Sequence, residues 1–116
     1  MIKGVHALFY TTDAVAARAF LRDKLGLSFH DEGDGWLIFD LAEGEVGCHP
    51  SDNAFHGVTF YCDDLDATIA EASDRGVTFS PIVEEDWGRV TTFELPGGGP
   101  VRLYQPTYVR STWSID

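Results

Sequence analysis

The feature that most constrains this chain is that it repeats itself. Sliding the sequence by fifty residues lays His6 on His56, Asp13 on Asp63, Ala17 on Ala67, Gly26 on Gly76 and Phe29 on Phe79. These five identities fall within residues 6–29 against 56–79, without a gap. Conservative pairs lie between them: Leu8 with Val58, Tyr10 with Phe60, Val15 with Leu65, Leu27 with Val77. A repeat of this length is one supersecondary unit, too small to cover its own sheet, so the two copies must pack on each other. The 116 residues therefore read as a single domain, 1–116, with repeats at 1–52 and 53–105 and a C-terminal tail at 106–116.

Each copy reads as strand, helix, then three short strands. The opening strands are Ile2–Tyr10 and Phe55–Tyr61. Asp13, and Asp63 or Asp64, follow as helix caps, because a carboxylate accepts from the free N–H groups of a first turn and suits its positive end. Val15, Ala16, Ala19 and Phe20 would form the apolar face of the first helix; Leu65, Ile69 and Ala72 would form that of the second. Gly26 and Gly76 stand where a left-handed helix end wants glycine. The remaining strands are expected at Leu27–Asp31, Trp36–Leu41 and Glu45–His49, then at Val77–Val83, Arg89–Leu95 and Val101–Gln105. Glycine-rich breaks separate them, among them Gly33-Asp34-Gly35 and Gly97-Gly98-Gly99. The fold class is α+β, built from tandem βαβββ modules.

With those elements in place, the chain resembles the vicinal oxygen chelate superfamily of glyoxalases, bleomycin-resistance proteins and extradiol dioxygenases. The resemblance is carried by HALFYTTDAVAARAFLRDKLGL, by HGVTFYCDDLDATIAEASDRGV, and by the closing LPGGGPVRLYQP, which is similar to a family ending of the type D-P-x-G-x-x-I-E-L. It implies a cup-shaped, eight-stranded mixed sheet with helices on the outside, and a homodimer. One fold hosts unrelated chemistries, so the resemblance fixes fold more firmly than function.

In metal-dependent members, the resemblance implies, the first and last strand of each half supply ligands to one divalent ion. His6 and His56 match the first-strand positions. The last-strand positions depart from the pattern, with Gly47 and Arg102 where a glutamate is expected. Glycine offers no donor, and a guanidinium stays charged and cannot ligate a cation. His49 shares the strand parity of Gly47, so His6, His49 and His56 form a candidate metal set, with Glu45 a further donor nearby. Such a set would take Zn, Ni, Mn or Fe; the alternative is a cup without any metal.

A metal-free cup would centre on Arg102, whose guanidinium can make paired hydrogen bonds to a carboxylate or phosphate. Tyr104 shares its parity; Tyr10 and Phe60 share that of His6 and His56. Trp36 and Trp87 stand at matching places in the two halves. Aromatic walls with a few convergent polar groups are the usual make-up of a small-molecule site, so Arg102, Tyr104, Tyr10, Phe60, Trp36 and Trp87 are the candidate ligand-binding residues. Three functions stay open: a divalent-metal lyase or dioxygenase, a drug-sequestering resistance protein without metal, and a metal-free enzyme or sensor for a small acid. There is no G-x-S-x-G elbow, P-loop, G-x-G-x-x-G or C-x-x-C to point elsewhere.

Charge narrows the partners. Eight Lys and Arg stand against nineteen Asp and Glu, a net −11. Phosphate backbones and anionic membrane surfaces need clustered positive charge, so neither nucleic acid nor membrane is expected. No apolar run approaches the ~20 residues of a membrane span, and MIKGVHALFY lacks the parts of a signal peptide. Cys48 and Cys62 make no disulfide framework and read as small buried or half-buried residues. A cytoplasmic location follows as the expectation.

Overall fold

The structure, a computed structural model, describes residues 6–41, 43–44, 50, 52–54 and 56–108. Two helices and six strands are formed among them. Helix α1 spans Ala14–Asp23 and helix α2 spans Leu65–Asp74. Both start at an aspartate cap, the second one residue later than the fifty-residue register places it. The Asp13 carboxylate accepts from Ala16 N–H and the Asp64 carboxylate from Ala67 N–H, one capping bond each. Both end at glycines in the left-handed region, Gly26 at φ +67° and Gly76 at φ +90°.

The strands are β1 (Phe29–Asp31), β2 (Leu37–Phe39), β3 (Thr59–Tyr61), β4 (Val83–Glu85), β5 (Gly88–Glu94) and β6 (Pro100–Pro106). They form two sheets. One is the antiparallel hairpin β1–β2; the other has four strands in the order β3–β6–β5–β4. β3 runs parallel to β6, with Phe60 opposite Leu103 and Tyr61 opposite Tyr104. The β5–β6 and β4–β5 pairs are antiparallel. The second copy thus folds as a βαβββ unit.

Three expectations need correction. Of the eight strands expected in one cup, the described residues show six, in sheets of two and four. The described part of Ile2–Tyr10, residues 6–10, is irregular: Phe9 packs its ring on Phe60, but the segment joins no ladder. Val77–Val83 is not a continuous strand. Pro81 has no N–H to give to a ladder, and the Thr92 N–H donates to the Ser80 hydroxyl instead of to a strand carbonyl. Only a bridge at Phe79–Phe93 remains before β4 begins. On α1 the buried residues are Ala17, Phe20 and Leu21, whereas Val15 is 76% exposed. The expected strand Glu45–His49 lies outside the described residues.

One apolar cluster joins both helices to one face of the larger sheet. Ala17, Phe20 and Leu21 of α1 and Leu65 and Ala72 of α2 meet Phe93, Val101 and Leu103. Phe93 is its centre: its ring lies 5.8 Å from that of Phe20, 6.0 Å from Phe79 and 6.4 Å from Phe60. Side chains of that size contribute ~1.5–3 kcal/mol each when buried. Polar ties lock α2 to the same face. The Leu65 N–H donates to Gln105 Oε1 at 2.9 Å, and Arg89 reaches Asp66 at 3.0 Å. Buried Thr91 donates its hydroxyl to Ser80 O at 2.7 Å, so its burial leaves that O–H satisfied.

Candidate ligand-binding face

Covering one face of the sheet with helices leaves the other to be assigned. Strand side chains alternate, so the residues between the core positions point away from the helices. On β6 these are Arg102 and Tyr104, either side of buried Leu103. Register extends the face: Arg102 stands opposite Thr59 and Thr92, and Tyr104 opposite Tyr61 and Val90.

Tyr104 is buried, and its surroundings are aromatic. Its ring is 5.3 Å from Trp87, edge to face, and 6.1 Å from Tyr61. Its hydroxyl is 2.8 Å from that of Tyr108. Trp87 sits in the β4–β5 turn, whose carbonyl accepts from Thr107 N–H at 3.0 Å. Gly88 follows it for a steric reason: a Cβ there would lie 2.7 Å from the Gln105 carbonyl oxygen and 3.1 Å from the Tyr104 ring. Glycine at 88 is what lets β5 approach Tyr104 so closely. The Tyr61 hydroxyl donates to the Glu43 carboxylate. Trp87 and Tyr108 keep 41% and 43% of their surface exposed, so the cluster has a solid floor and an open side.

The Arg102 side chain is exposed and makes no hydrogen bond or ion pair within the described residues. In a chain with nineteen acidic residues that is informative. Arg22, Arg75 and Arg89 are each paired with a carboxylate, while the guanidinium on this face has no carboxylate partner among the described residues. Cys62 lies at the rim with its thiol 3.7 Å from Tyr104 O. Burial pushes that thiol up from its ordinary pKa, so it stays protonated and is a poor nucleophile at neutral pH.

The other sequence candidates are placed elsewhere. Phe60 faces the helices, opposite Leu103 and stacked with Phe93. Trp36 stands at the end of the β1–β2 turn with the Arg18 guanidinium 4.3 Å above its ring. Tyr10 is 90% exposed. His6 and His56 are both exposed, and His49, Glu45, Gly47 and Cys48 lie outside the described residues. The structure therefore gathers Tyr104, Trp87, Tyr61 and Tyr108, and register places Arg102 on the same sheet face. Tyr61 was missed because Phe60, not Tyr61, shares the parity of His56. Only the β3–β6 register shows which of the two lies beside Tyr104.

The metal that this fold implies can be tested against the side chains. Among the described residues no three of His, Cys, Asp and Glu are grouped closely enough to hold an ion. On β6, where a carboxylate would be needed, stands Arg102, a cation in every accessible state. The described donors do not fit a metal centre.

Comparison with known proteins agrees with the architecture. The family model for the Glyoxalase/Bleomycin resistance protein/Dioxygenase superfamily matches residues 4–103. Among solved structures, the chain is similar to TnmS3, an antibiotic binding protein from Streptomyces sp. CB03234. They share 23% identity over 92% of this chain and 100% of that one, with a TM-score of 0.65. A superfamily member from Sphaerobacter thermophilus is 23% identical over 90% and 98% of the two chains, with a TM-score of 0.64. Lactoylglutathione lyase from Agrobacterium tumefaciens is 19% identical over 84% and 88%, with a TM-score of 0.60. No curated protein matches. The family match spans most of the sequence, and the chain belongs to the glyoxalase/bleomycin resistance protein/dioxygenase superfamily.

Proposed function

We propose that this protein binds a small, flat organic molecule that carries an acidic or carbonyl oxygen, and that it does so without a metal. One observation carries the reading: Arg102, whose side chain has no partner among the described residues, shares a sheet face with the Tyr61–Tyr104–Trp87 cluster. The aromatic rings supply a wall for the ligand's body. The guanidinium supplies two parallel donors for its oxygens. TnmS3 is an antibiotic binding protein, and likeness to it favours the same class of role. The homodimer expected from the family belongs to this reading, and sedimentation equilibrium tests it.

The experiment is a thermal-shift screen of small aromatic acids, carbonyl compounds and amines. Acids and carbonyl compounds should raise the melting temperature of the wild type. Arg102→Ala should lose those hits while melting close to the wild type, because Arg102 is exposed. Identical hits for both proteins would refute the proposal. So would stoichiometric uptake of Zn, Ni, Mn or Fe that a His6→Ala, His56→Ala double variant abolishes; that result would put a metal-dependent lyase or dioxygenase in its place.

A further inference from the structure

The face that carries Arg102 also carries an acid. Side chains of β5 alternate about Phe93, which is buried in the core, so Thr92 and Glu94 point away from the helices. Thr92 stands opposite Arg102 and Glu94 opposite Pro100. Glu94 is therefore the diagonal neighbour of Arg102 across the β5–β6 pair, at roughly 7–8 Å between backbones. Tyr104, opposite Val90, is the next residue of β6 on the same face in the other direction. The order along the sheet is acid, guanidinium, aromatic cluster. The side chains of Arg102 and Glu94 are both exposed, and neither has a hydrogen bond or ion pair within the described residues. Thr92, between them, turns its hydroxyl to Ser80 Oγ at 3.0 Å. Two other carboxylates near this face are placed differently. Glu43 accepts from the Tyr61 hydroxyl, and Glu85 stands opposite Gly88, on the far side of Tyr104 from Arg102.

We infer that the ligand of this face is a zwitterion with an aromatic body, of the aromatic amino acid class. Its carboxylate lies on Arg102, its ammonium toward Glu94 and its ring toward the Tyr104–Trp87 cluster. The inference rests on the reading of this face as a ligand site and narrows it, with Glu94 as the residue that sets specificity. Three observations carry it. The order of groups on the sheet matches three arms on one ligand carbon, with the guanidinium between the acid and the rings. A bare acid held by Arg102 would set its own negative charge beside Glu94, whereas an ammonium on the adjoining carbon replaces that repulsion with attraction. The chain as a whole carries −11, a field that opposes the approach of a monoanion but exerts no net pull or push on a zwitterion.

Three probes with one indole body separate the contributions: tryptophan, indole-3-propionate, which lacks the ammonium, and tryptamine, which lacks the carboxylate. Each is titrated into nitrogen-15-labelled protein and followed by amide shifts. Tryptophan should move the amides of Thr92, Glu94, Arg102 and Tyr104 in a saturable way, and bind tighter than the other two. Glu94→Gln should weaken tryptophan roughly two- to fivefold, the range of an exposed ion pair, and should not weaken indole-3-propionate. Arg102→Ala should weaken both acids. Both positions are exposed, so both variants should fold as the wild type. The inference is overturned if tryptophan binds no tighter than indole-3-propionate, or if Glu94→Gln leaves tryptophan unchanged or weakens both acids alike. Indole-3-propionate that still binds through Arg102 would in each case leave the ligand-binding reading of the face standing. Binding of neither acid would remove both.

Discussion

Gly97 is the position where the smallest added group does most harm. It sits at φ +70° in the β5–β6 hairpin, a conformation that costs an L side chain. A Cβ there would lie 2.3 Å from Asp13 N and 2.6 Å from Thr11 Oγ1. The contact is close because the hairpin clasps the entry to α1: Thr12 N–H donates to Gly97 O at 2.7 Å and Thr11 Oγ1 to Pro96 O at 2.7 Å. Gly97→Ala should therefore cost about 1–3 kcal/mol by urea denaturation, whereas Gly99→Ala, with nothing within 4 Å of its Cβ, should cost little. His30 makes a pH prediction at the same scale. Its Nδ1 is 3.1 Å from Asp40 and its Nε2 is 2.8 Å from Glu32. Only the protonated ring can donate to both, so Asp40 first and Glu32 second raise its pKa above the ordinary value of about 6.5. A pKa higher in the folded state than in the unfolded chain adds stability that is complete below the unfolded value. That stability is lost as pH rises through the folded value. Denaturation midpoints measured from pH 5.5 to 8.5 should fall more in the wild type than in His30→Gln. Equal slopes would remove His30 from the account.

At the scale of elements, Phe93 on β5 is the keystone between the two copies. It stacks on Phe20 of α1 and Phe60 of β3 at once, at 3% exposure. Phe93→Ala should cost ~3–5 kcal/mol, the range for an aromatic deletion in a core, and lower the thermal midpoint by many degrees; Val15→Ala, on the exposed side of α1, should cost under ~0.5 kcal/mol beyond propensity. The elements differ in how far the sequence alone exposes them. Both helices could be read from Asp13 and Asp64 to Gly26 and Gly76, because caps and left-handed glycines act locally. β5 and β6 could be read because they alternate about a glycine turn. The break at Ser80–Pro81 was hidden: a run of β-formers hides one residue that cannot donate and one hydroxyl that accepts in place of a strand carbonyl. Which side of α1 is buried was also hidden, because apolar residues lie on both sides and only docking on Phe93 selects Phe20 and Leu21. The candidate site divides the same way. Arg102 and Tyr104 were visible through their shared parity on one strand. Tyr61 and Trp87 join them through inter-strand register and a turn, which no single-strand pattern encodes.

For the whole molecule, the repeat explains the architecture more fully than it explains chemistry. It repeats the capped helix and the glycine stop of each half, and it sets His6 against His56. It does not repeat Arg102, whose counterpart in the first half is Gly47. The two halves therefore present different groups, and the guanidinium belongs to one of them. The acidic charge places that guanidinium in an overall negative field, so binding of an anion through Arg102 should improve as salt screens the long-range repulsion. The most direct measurement uses the variant Trp36→Phe, Trp113→Phe, which leaves Trp87 as the sole tryptophan of the chain. Titration with 2-naphthoate should change Trp87 emission saturably, and adding Arg102→Ala should abolish that response. An unchanged Trp87 signal, or the same affinity with and without Arg102, would contradict the assignment of this face as the ligand site.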